Sequence, residues 1–93
     1  MMFVYLVCYD VSDDAVRERV AKTLLGYGQR VQYSVFEVLI HSTAELNELC
    51  RALQAVADEE TNIRFYRLCE HCRKASRDLL GEALMEFPAV LIM

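Results

Sequence analysis

Apolar and polar residues follow one another along the chain in blocks that predict alternating strands and helices. Residues 3–9 are β-branched, aromatic and aliphatic, in a run too short for a buried helix. This pattern predicts a strand with both faces covered that ends at Asp10. A helix is expected to follow, from an N-cap at Ser12 to about Leu25, where the first of two glycines ends it.

The middle of the chain predicts more extended structure and a second helix. Residues 30–40 are rich in Val, Tyr, Phe and Ile and are therefore extended, either as one bent strand or as two short strands that meet near Ser34. Ser42 and Glu45 have the spacing of a capping box that starts a helix. The apolar residues that follow recur at helical spacing and are Leu46, Leu49, Cys50, Leu53, Val56 and Ala57.

The last third of the chain carries two further predicted strands. Residues 62–68 alternate around Ile63 and Phe65, as a half-buried strand does. Residues 89–93 are apolar with high strand propensity, and an exposed apolar strand promotes aggregation. We therefore expect them to pair at a sheet edge of this subunit or of a partner. Residues 69–87 follow neither period.

This order of elements predicts an α+β sandwich of the ferredoxin-like, split-βαβ class, with two helices on one face of an antiparallel sheet. Side chains of the first strand divide between the two faces of that sheet, with Phe3, Tyr5, Val7 and Tyr9 on one and Val4, Leu6 and Cys8 on the other. Because two helices cover only one face, the second apolar face predicts a homodimer in which two sheets pack together.

Composition narrows the class of protein. The 93 residues suffice for one domain, 1–93, and a domain of this size buries only about 60–65% of its extended-chain surface, so self-association is a simple source of further stability. Ten Lys and Arg against fourteen Asp and Glu give a net charge of −4, which leaves only a local patch for nucleic acid. With no signal-peptide pattern and no uncharged run near the roughly 20 residues that cross a bilayer, we expect a cytoplasmic protein without membrane contact.

Asp10 is the first candidate for chemistry, because it is an acidic side chain at the point where a buried strand opens into a loop. A strand-ending Asp that only forms a turn is the commoner alternative. One carboxylate is a poor metal site alone. Mg²⁺, however, takes one or two carboxylates and completes its octahedron with water and phosphate oxygens, so one Asp10 from each subunit of a twofold dimer would suffice.

Three arginines are candidates for contacts with phosphate. Arg17 falls on the apolar side of the first helix and points inward or along its margin, where it pairs with Asp10, reaches a bound phosphate, or only covers apolar surface. Arg19 lies on the exposed side as a positioning contact. Arg30 follows the turn Gly26-Tyr27-Gly28, whose glycines either admit a ligand close to the backbone or only supply positive φ.

The cysteines are expected to be reduced thiols. Cys69-Glu70-His71-Cys72 resembles half of a zinc knuckle, but a structural site normally needs a second pair, for which only Cys8, Cys50 and His41 remain. A redox Cys-x-x-Cys is disfavoured further, because no strand-to-helix thioredoxin context precedes it. The chain has no P-loop, GxGxxG or GxSxG motif.

Two blocks of sequence have the residues and spacing of a known family. The first is Tyr9-Asp10-Val11-Ser12 with Arg17 and Arg19 in the helix that follows. The second, longer and more specific, is Gly26-Tyr27-Gly28-x-Arg30-Val31-Gln32-x-Ser34-Val35-Phe36-Glu37. Together they resemble the CRISPR-associated protein 2 family, the small partner of the CRISPR adaptation integrase. The resemblance is strong over residues 3–40 and extends more weakly to the rest.

The resemblance implies a ferredoxin-like homodimer whose C-terminal strand joins the partner's sheet. It implies a role in spacer acquisition, in which the dimer binds DNA or RNA and bridges subunits of the integrase, the CRISPR-associated protein 1 family. It further implies an endonuclease, dependent on Mg²⁺ or on Mn²⁺, that cleaves single-stranded RNA or double-stranded DNA. The alternatives are a purely architectural scaffold without catalysis and a small regulatory ligand-binding dimer of the same fold.

The family motif also implies roles for individual residues. Asp10 is the metal ligand and catalytic residue, paired with its twofold mate. The residues implied to bind nucleic acid are Tyr9, Arg17, Arg19, Arg30 and Phe36, and all except Arg19 line the cleft around Asp10. Phe36 is expected either to stack on a base or to pack at the subunit interface.

Overall fold

The chain folds into alternating strands and helices, which a computed structural model describes for residues 2–82. The elements, in chain order, are β1 (Phe3–Asp10), α1 (Asp14–Leu25), β2 (Gly28–Gln32), β3 (Val35–Ile40), α2 (Thr43–Val56), β4 (Asn62–Leu68) and α3 (Glu70–Ala75). This order confirms the α+β, ferredoxin-like class, and α3 adds a short helix in the stretch that the pattern did not assign. The strand predicted over 89–93 lies outside the described residues.

The four strands form one antiparallel sheet in the order β2-β3-β1-β4, with β1 in its interior. Val7 of β1 pairs with Phe36 on one side and Phe65 on the other. The pairing with β3 ends at Cys8, while the pairing with β4 continues to Asp10. The end of β1 therefore projects past β3, beside the turn that joins β2 to β3.

Residues 30–40 take the second of the two predicted forms, because they divide between β2 and β3. The strands are joined through Tyr33 and Ser34, and the register shifts between Arg30 and Gln32 as in a β-bulge. The backbone N–H of Tyr9 donates to the carbonyl of Ser34 (3.0 Å). This hydrogen bond fixes the hairpin turn against the end of β1.

The two long helices start at side-chain caps, one of which differs from the prediction. Ser12 is wrong as the N-cap of α1: Asp13 has the extended backbone of a cap, and its carboxylate accepts the N–H three residues on (2.9 Å). Ser12 instead donates to Glu60 (2.9 Å). The Ser42 half of the capping box of α2 is confirmed, since the Ser42 hydroxyl accepts the N–H of Glu45 (3.1 Å). The Glu45 carboxylate accepts the N–H of His41 (3.1 Å) and not that of Ser42.

Gly28 is required for a reason that the sequence does not reveal. Neither Gly26 nor Gly28 has positive φ, so that explanation is wrong for both. A Cβ at Gly28 would lie 1.9 Å from the carbonyl oxygen of Glu37. The missing side chain thus lets β2 lie directly against the backbone of β3.

The helices α1 and α2 pack on one face of the sheet, which we call the covered face. Tyr5, Val7 and Tyr9 point to it, as the alternation of β1 predicts. The largest fully buried side chains belong to this cluster and are Phe36, Leu24, Ile40, Leu49, Val7, Val20 and Val38. Opposite lies the open face, where Val4 and Leu39 form a small second cluster. Across residues 2–82, no helix is long and apolar enough to cross a membrane.

Candidate nucleic-acid interface

A cleft of about 270 Å³ lies between α1 and the β2–β3 hairpin. We call it the α1–β2 cleft, and its lining residues are Asp14, Arg17, Glu18, Ala21, Arg30 and Tyr33. Two of the arginines selected from the sequence, Arg17 and Arg30, thus come together although 13 positions separate them. A pair of guanidinium groups in a cleft is suited to bind phosphate oxygens.

Arg17 is fixed at the loop that follows β1. Its guanidinium donates to the carbonyl of Val11 (2.9 Å) and to the carboxylate of Asp14. The hydrogen bond to Asp14 raises the pKa of Arg17 above its ordinary value, so the group stays charged. Only 24% of its side chain is exposed, which places it at the margin of the core, as predicted. Its carboxylate partner is Asp14 and not Asp10, because the helix brings Asp14 one turn from Arg17.

Arg30 is fixed by aromatic side chains. Its guanidinium donates to the hydroxyl of Tyr9 (3.3 Å), and its Cζ lies 5.3 Å from the centroid of the Phe36 ring. The Tyr9 hydroxyl in turn donates to the carbonyl of Tyr33 (3.2 Å). Tyr9 therefore orients both Arg30 and the hairpin turn.

Phe36 lies in the core of the covered face, so neither predicted role fits it. It is fully buried, and its ring centroid lies 6.1 Å from that of Tyr9, which is 5% exposed. A base reaches neither ring, because β3 turns Phe36 toward the helices. Phe36 supports Arg30 from below instead of contacting a ligand.

Tyr33 is the aromatic residue of the cleft that sequence reasoning missed. It is 68% exposed, and the Cζ atoms of Arg17 and Arg30 lie 5.6 Å and 5.8 Å from its ring centroid. The sequence did contain a signal for it, because Tyr33 is an aromatic residue next to Ser34, and one of the two predicted forms of residues 30–40 has its strand break near Ser34. Had the hairpin been known, its turn position would have indicated an exposed ring.

Asp10 and Arg19 lie outside this cluster. Asp10 is exposed at the end of β1, and strand alternation turns its side chain away from Tyr9, toward the open face. Arg19 is exposed on α1, as predicted, but does not line the α1–β2 cleft. One chain thus brings together Tyr9, Arg17, Arg30 and Phe36, while Asp10 shares their end of β1 on the opposite face.

A single copy supplies only part of a metal site. No group of three or more His, Cys, Asp or Glu side chains able to hold a metal ion occurs in the described part of the chain. Asp10 is an exposed, hard oxygen donor, which fits Mg²⁺ or Mn²⁺ when water and phosphate oxygens complete the coordination. The carboxylate of one Asp10 supplies only part of the coordination of the ion. A second copy of the chain packed on the open face would supply a second Asp10 carboxylate.

Cys69 and Cys72 are exposed neighbours at the start of α3. The Sγ of Cys69 accepts the backbone N–H of Cys72 (3.3 Å). Hydrogen bonds from Cys72 lower the pKa of the Cys69 thiol, and Cys69 raises the pKa of Cys72. The zinc ligands considered above do not assemble within residues 2–82.

Comparisons with known proteins identify the family. The sequence profile of "CRISPR associated protein Cas2" matches residues 2–75. A Synechocystis protein named CRISPR-associated endoribonuclease Cas2 3 is 48% identical, and the match covers 94% of each chain. A chain of a partial Cas6-RT-Cas1–Cas2 complex has a TM-score of 0.82 and 35% identity, covering 94% of this chain and 95% of that one. The crystal structure of Streptococcus pyogenes Cas2 has a TM-score of 0.71 and 36% identity, covering 85% and 99%. The chain therefore belongs to the CRISPR-associated Cas2 family.

Proposed function

We propose that this protein acts in spacer acquisition as a cytoplasmic homodimer that binds nucleic acid and bridges subunits of the CRISPR integrase, Cas1. The α1–β2 cleft is the observation that carries the nucleic-acid part, because two fixed guanidinium groups and an exposed aromatic ring face it. The Cas1 partner is supported by the likeness to a chain of a Cas6-RT-Cas1–Cas2 complex.

The homodimer is supported by the open face of the sheet. Leu6 and Cys8 are only half-buried there, and Tyr66 is 46% exposed. Packing two such faces together about a twofold axis that runs along the strands buries these side chains and sets the two copies of Asp10 at the same end of the interface.

The activity we propose is endonucleolytic cleavage of single-stranded RNA or double-stranded DNA, dependent on Mg²⁺ or Mn²⁺. Relatives named endoribonucleases support it, the Synechocystis protein among them. Asp10 of each copy is the proposed metal ligand and catalytic residue. The bound ion would supply an activated water and neutralise charge on the scissile phosphate.

The other site residues act on the nucleic acid directly or through a neighbour. Arg17 and Arg30 bind phosphate oxygens and hold the strand in the cleft. Tyr9 is a positioning residue, since its hydroxyl orients Arg30. Arg19, exposed on α1, adds a charge that attracts the backbone outside the cleft. Phe36 holds the guanidinium of Arg30 above the core.

The test is a cleavage assay on labelled single-stranded RNA and double-stranded DNA with Mg²⁺, Mn²⁺ or EDTA. Asp10→Asn removes the charge at constant size, and Glu59→Gln makes the same change at another exposed carboxylate. We expect the parent and Glu59→Gln to cleave with metal, and Asp10→Asn to lose activity while it still dimerises. Cleavage by Asp10→Asn at the parent's rate would contradict the nuclease proposal.

The second candidate is a scaffold without catalysis, favoured because the described residues 2–82 supply a single carboxylate, that of Asp10, to the open face at the end of β1. If the scaffold suffices, Asp10→Asn keeps spacer acquisition in cells. Charge reversal of Arg17 and Arg19 together should then abolish acquisition, because those contacts hold the nucleic acid. Acquisition lost with Asp10→Asn alone would favour the nuclease.

A further inference from the structure

We propose that Tyr33 is a stacking platform for an unpaired nucleobase, so that the α1–β2 cleft binds a single-stranded segment of the nucleic acid. This inference rests on the proposed function, since it names the part of a nucleic acid that the cleft recognises. It assigns the direct base contact to Tyr33, in place of the buried Phe36.

Tyr33 presents its ring to solvent from a fixed backbone. The residue is 68% exposed, although burying an aromatic ring of this size is favourable. Its carbonyl accepts the hydroxyl of Tyr9 (3.2 Å), and the next carbonyl, of Ser34, accepts the N–H of Tyr9 (3.0 Å). Because the turn is already held, a base that stacks on the ring loses little affinity to ordering of the loop.

Two guanidinium groups flank the same ring. The Cζ atoms of Arg17 and Arg30 lie 5.6 Å and 5.8 Å from its centroid, within the range of cation–π contacts. A ring that supports a base beside cations that contact the backbone is the arrangement by which proteins bind single strands. The exposure of Tyr33 shows that the arginines leave most of the residue accessible.

The charges of the cleft favour stacking over general attraction to a duplex. Arg17 and Arg30 are balanced by Asp14 and Glu18 in the same lining, so the cleft has no net positive charge from its lining residues. Two arginines neutralise few phosphates, so electrostatic attraction alone gives this cleft limited affinity. Stacking on the ring of Tyr33 adds affinity that depends on the base, and the ring reaches a base only where the base is unpaired.

The experiment measures binding in EDTA, so that cleavage plays no part, by anisotropy of a labelled single-stranded RNA and of the matching duplex. Tyr33→Leu keeps an apolar side chain without a ring, and Tyr33→Phe keeps the ring without the hydroxyl. An RNA in which every base is replaced by an abasic unit keeps the phosphates alone. A fourth RNA carries 2-aminopurine, whose fluorescence is quenched when it stacks on a tyrosine.

We expect Tyr33→Leu to weaken binding of the single strand by about 5- to 150-fold, the range for loss of one base–aromatic stack. Tyr33→Phe should bind within about twofold of the parent, and the abasic RNA should bind the parent and Tyr33→Leu alike. The parent and Tyr33→Phe should quench 2-aminopurine, and Tyr33→Leu should not.

Three results would overturn the inference while the proposed function stands. Tyr33→Leu could bind the single strand as tightly as the parent does, or it could lose as much affinity for the abasic RNA as for the normal one. The third is that the parent leaves the fluorescence of 2-aminopurine unquenched. The last needs no variant, so it decides the matter even if Tyr33→Leu folds poorly. Failure of the parent to bind any nucleic acid would overturn both. Binding without cleavage would contradict only the nuclease.

Discussion

The covered and open faces of the sheet come from the same apolar strands but reach different degrees of burial. Within residues 2–82, twelve buried residues of the covered face form one cluster under α1 and α2. In the same part of the chain, the buried cluster of the open face consists of Val4 and Leu39, with Met2 and Leu68 packed against them. The difference shows that alternation in a strand predicts which side chains share a face, while the number of layers decides whether that face closes within one chain.

Glu37 makes the two faces differ in chemistry as well. It pairs with Leu6 in the register of β3 and β1, on the open face, and it is only 5% exposed. Burial raises the pKa of its carboxyl, while the charge of Arg73, from α3, lowers it. The open face therefore holds a buried carboxyl group at its centre, whereas the buried cluster of the covered face contains no ionisable side chain other than Tyr9 within residues 2–82.

The largest effect is expected on the covered face. Leu49→Ala removes a fully buried side chain between α2 and the sheet and should lower the free energy of unfolding by about 2–5 kcal/mol. Leu6→Ala is the matched change on the open face, where the side chain is half-buried, and should cost less than half as much in a dilute sample. Urea unfolding measures both, and equal losses would show that the faces do not differ.

A charge on the open face sharpens the comparison through self-association. Leu6→Asp should weaken dimerisation by about a hundredfold or more, because an unpaired carboxylate in an interface costs several kcal/mol. Leu25→Asp is the control, since Leu25 is 57% exposed at the end of α1. Sedimentation equilibrium gives both dissociation constants. A Leu6→Asp dimer as tight as the parent would place the interface elsewhere.

Glu37→Gln tests the polar centre of the open face by its dependence on pH. The raised pKa means that the folded protein binds the proton of Glu37 more tightly than the unfolded chain does. Stability from this group is therefore complete below the ordinary carboxyl pKa and is lost as the pH rises through the raised value. We expect Glu37→Gln to raise Tm at neutral pH by on the order of a few degrees. The gain should shrink as the sample is acidified, and a gain independent of pH would contradict the burial argument.

The smallest effect concerns the thiols beside the open face. Because hydrogen bonds from Cys72 lower the pKa of Cys69 and Cys69 raises that of Cys72, alkylation of Cys69 should begin at the lower pH. Mass spectrometry after iodoacetamide treatment at a series of pH values separates the two. In Cys69→Ser, the onset for Cys72 should move to lower pH, since the neighbouring thiolate is gone. Parallel profiles for both thiols would refute the interaction.

The sequence predicted the elements whose pattern is local. The span of β4 is the one predicted for residues 62–68, and the capping box of α2 fixed its start at Ser42. Arg17 was placed at the core margin from its position on the face of α1 alone. Each of these features depends on side chains that are only a few residues apart in the sequence.

Features that depend on strand register were not predictable in this way. Gly28 is needed because the backbone of Glu37 and Val38 lies against it, and Phe36 is buried because the helices cover its face of β3. Tyr33 gained its place beside Arg17 only when α1 packed next to the hairpin. Distant pairing fixes all three, and no local period carries that information.

The close packing of β2 at Gly28 also determines how the α1–β2 cleft responds to insertions in the connection before it. Next to it, the carbonyl of Tyr27 accepts the N–H of Leu39 (3.0 Å), and the N–H of Tyr27 donates to Leu24 (2.9 Å). The main chain of Tyr27 thus ties the connection between α1 and β2 to the end of α1 on one side and to β3 on the other. The backbone therefore fixes the spacing between Arg17 and Arg30. One residue inserted before Gly28 would therefore change the distance between Arg17 and Arg30.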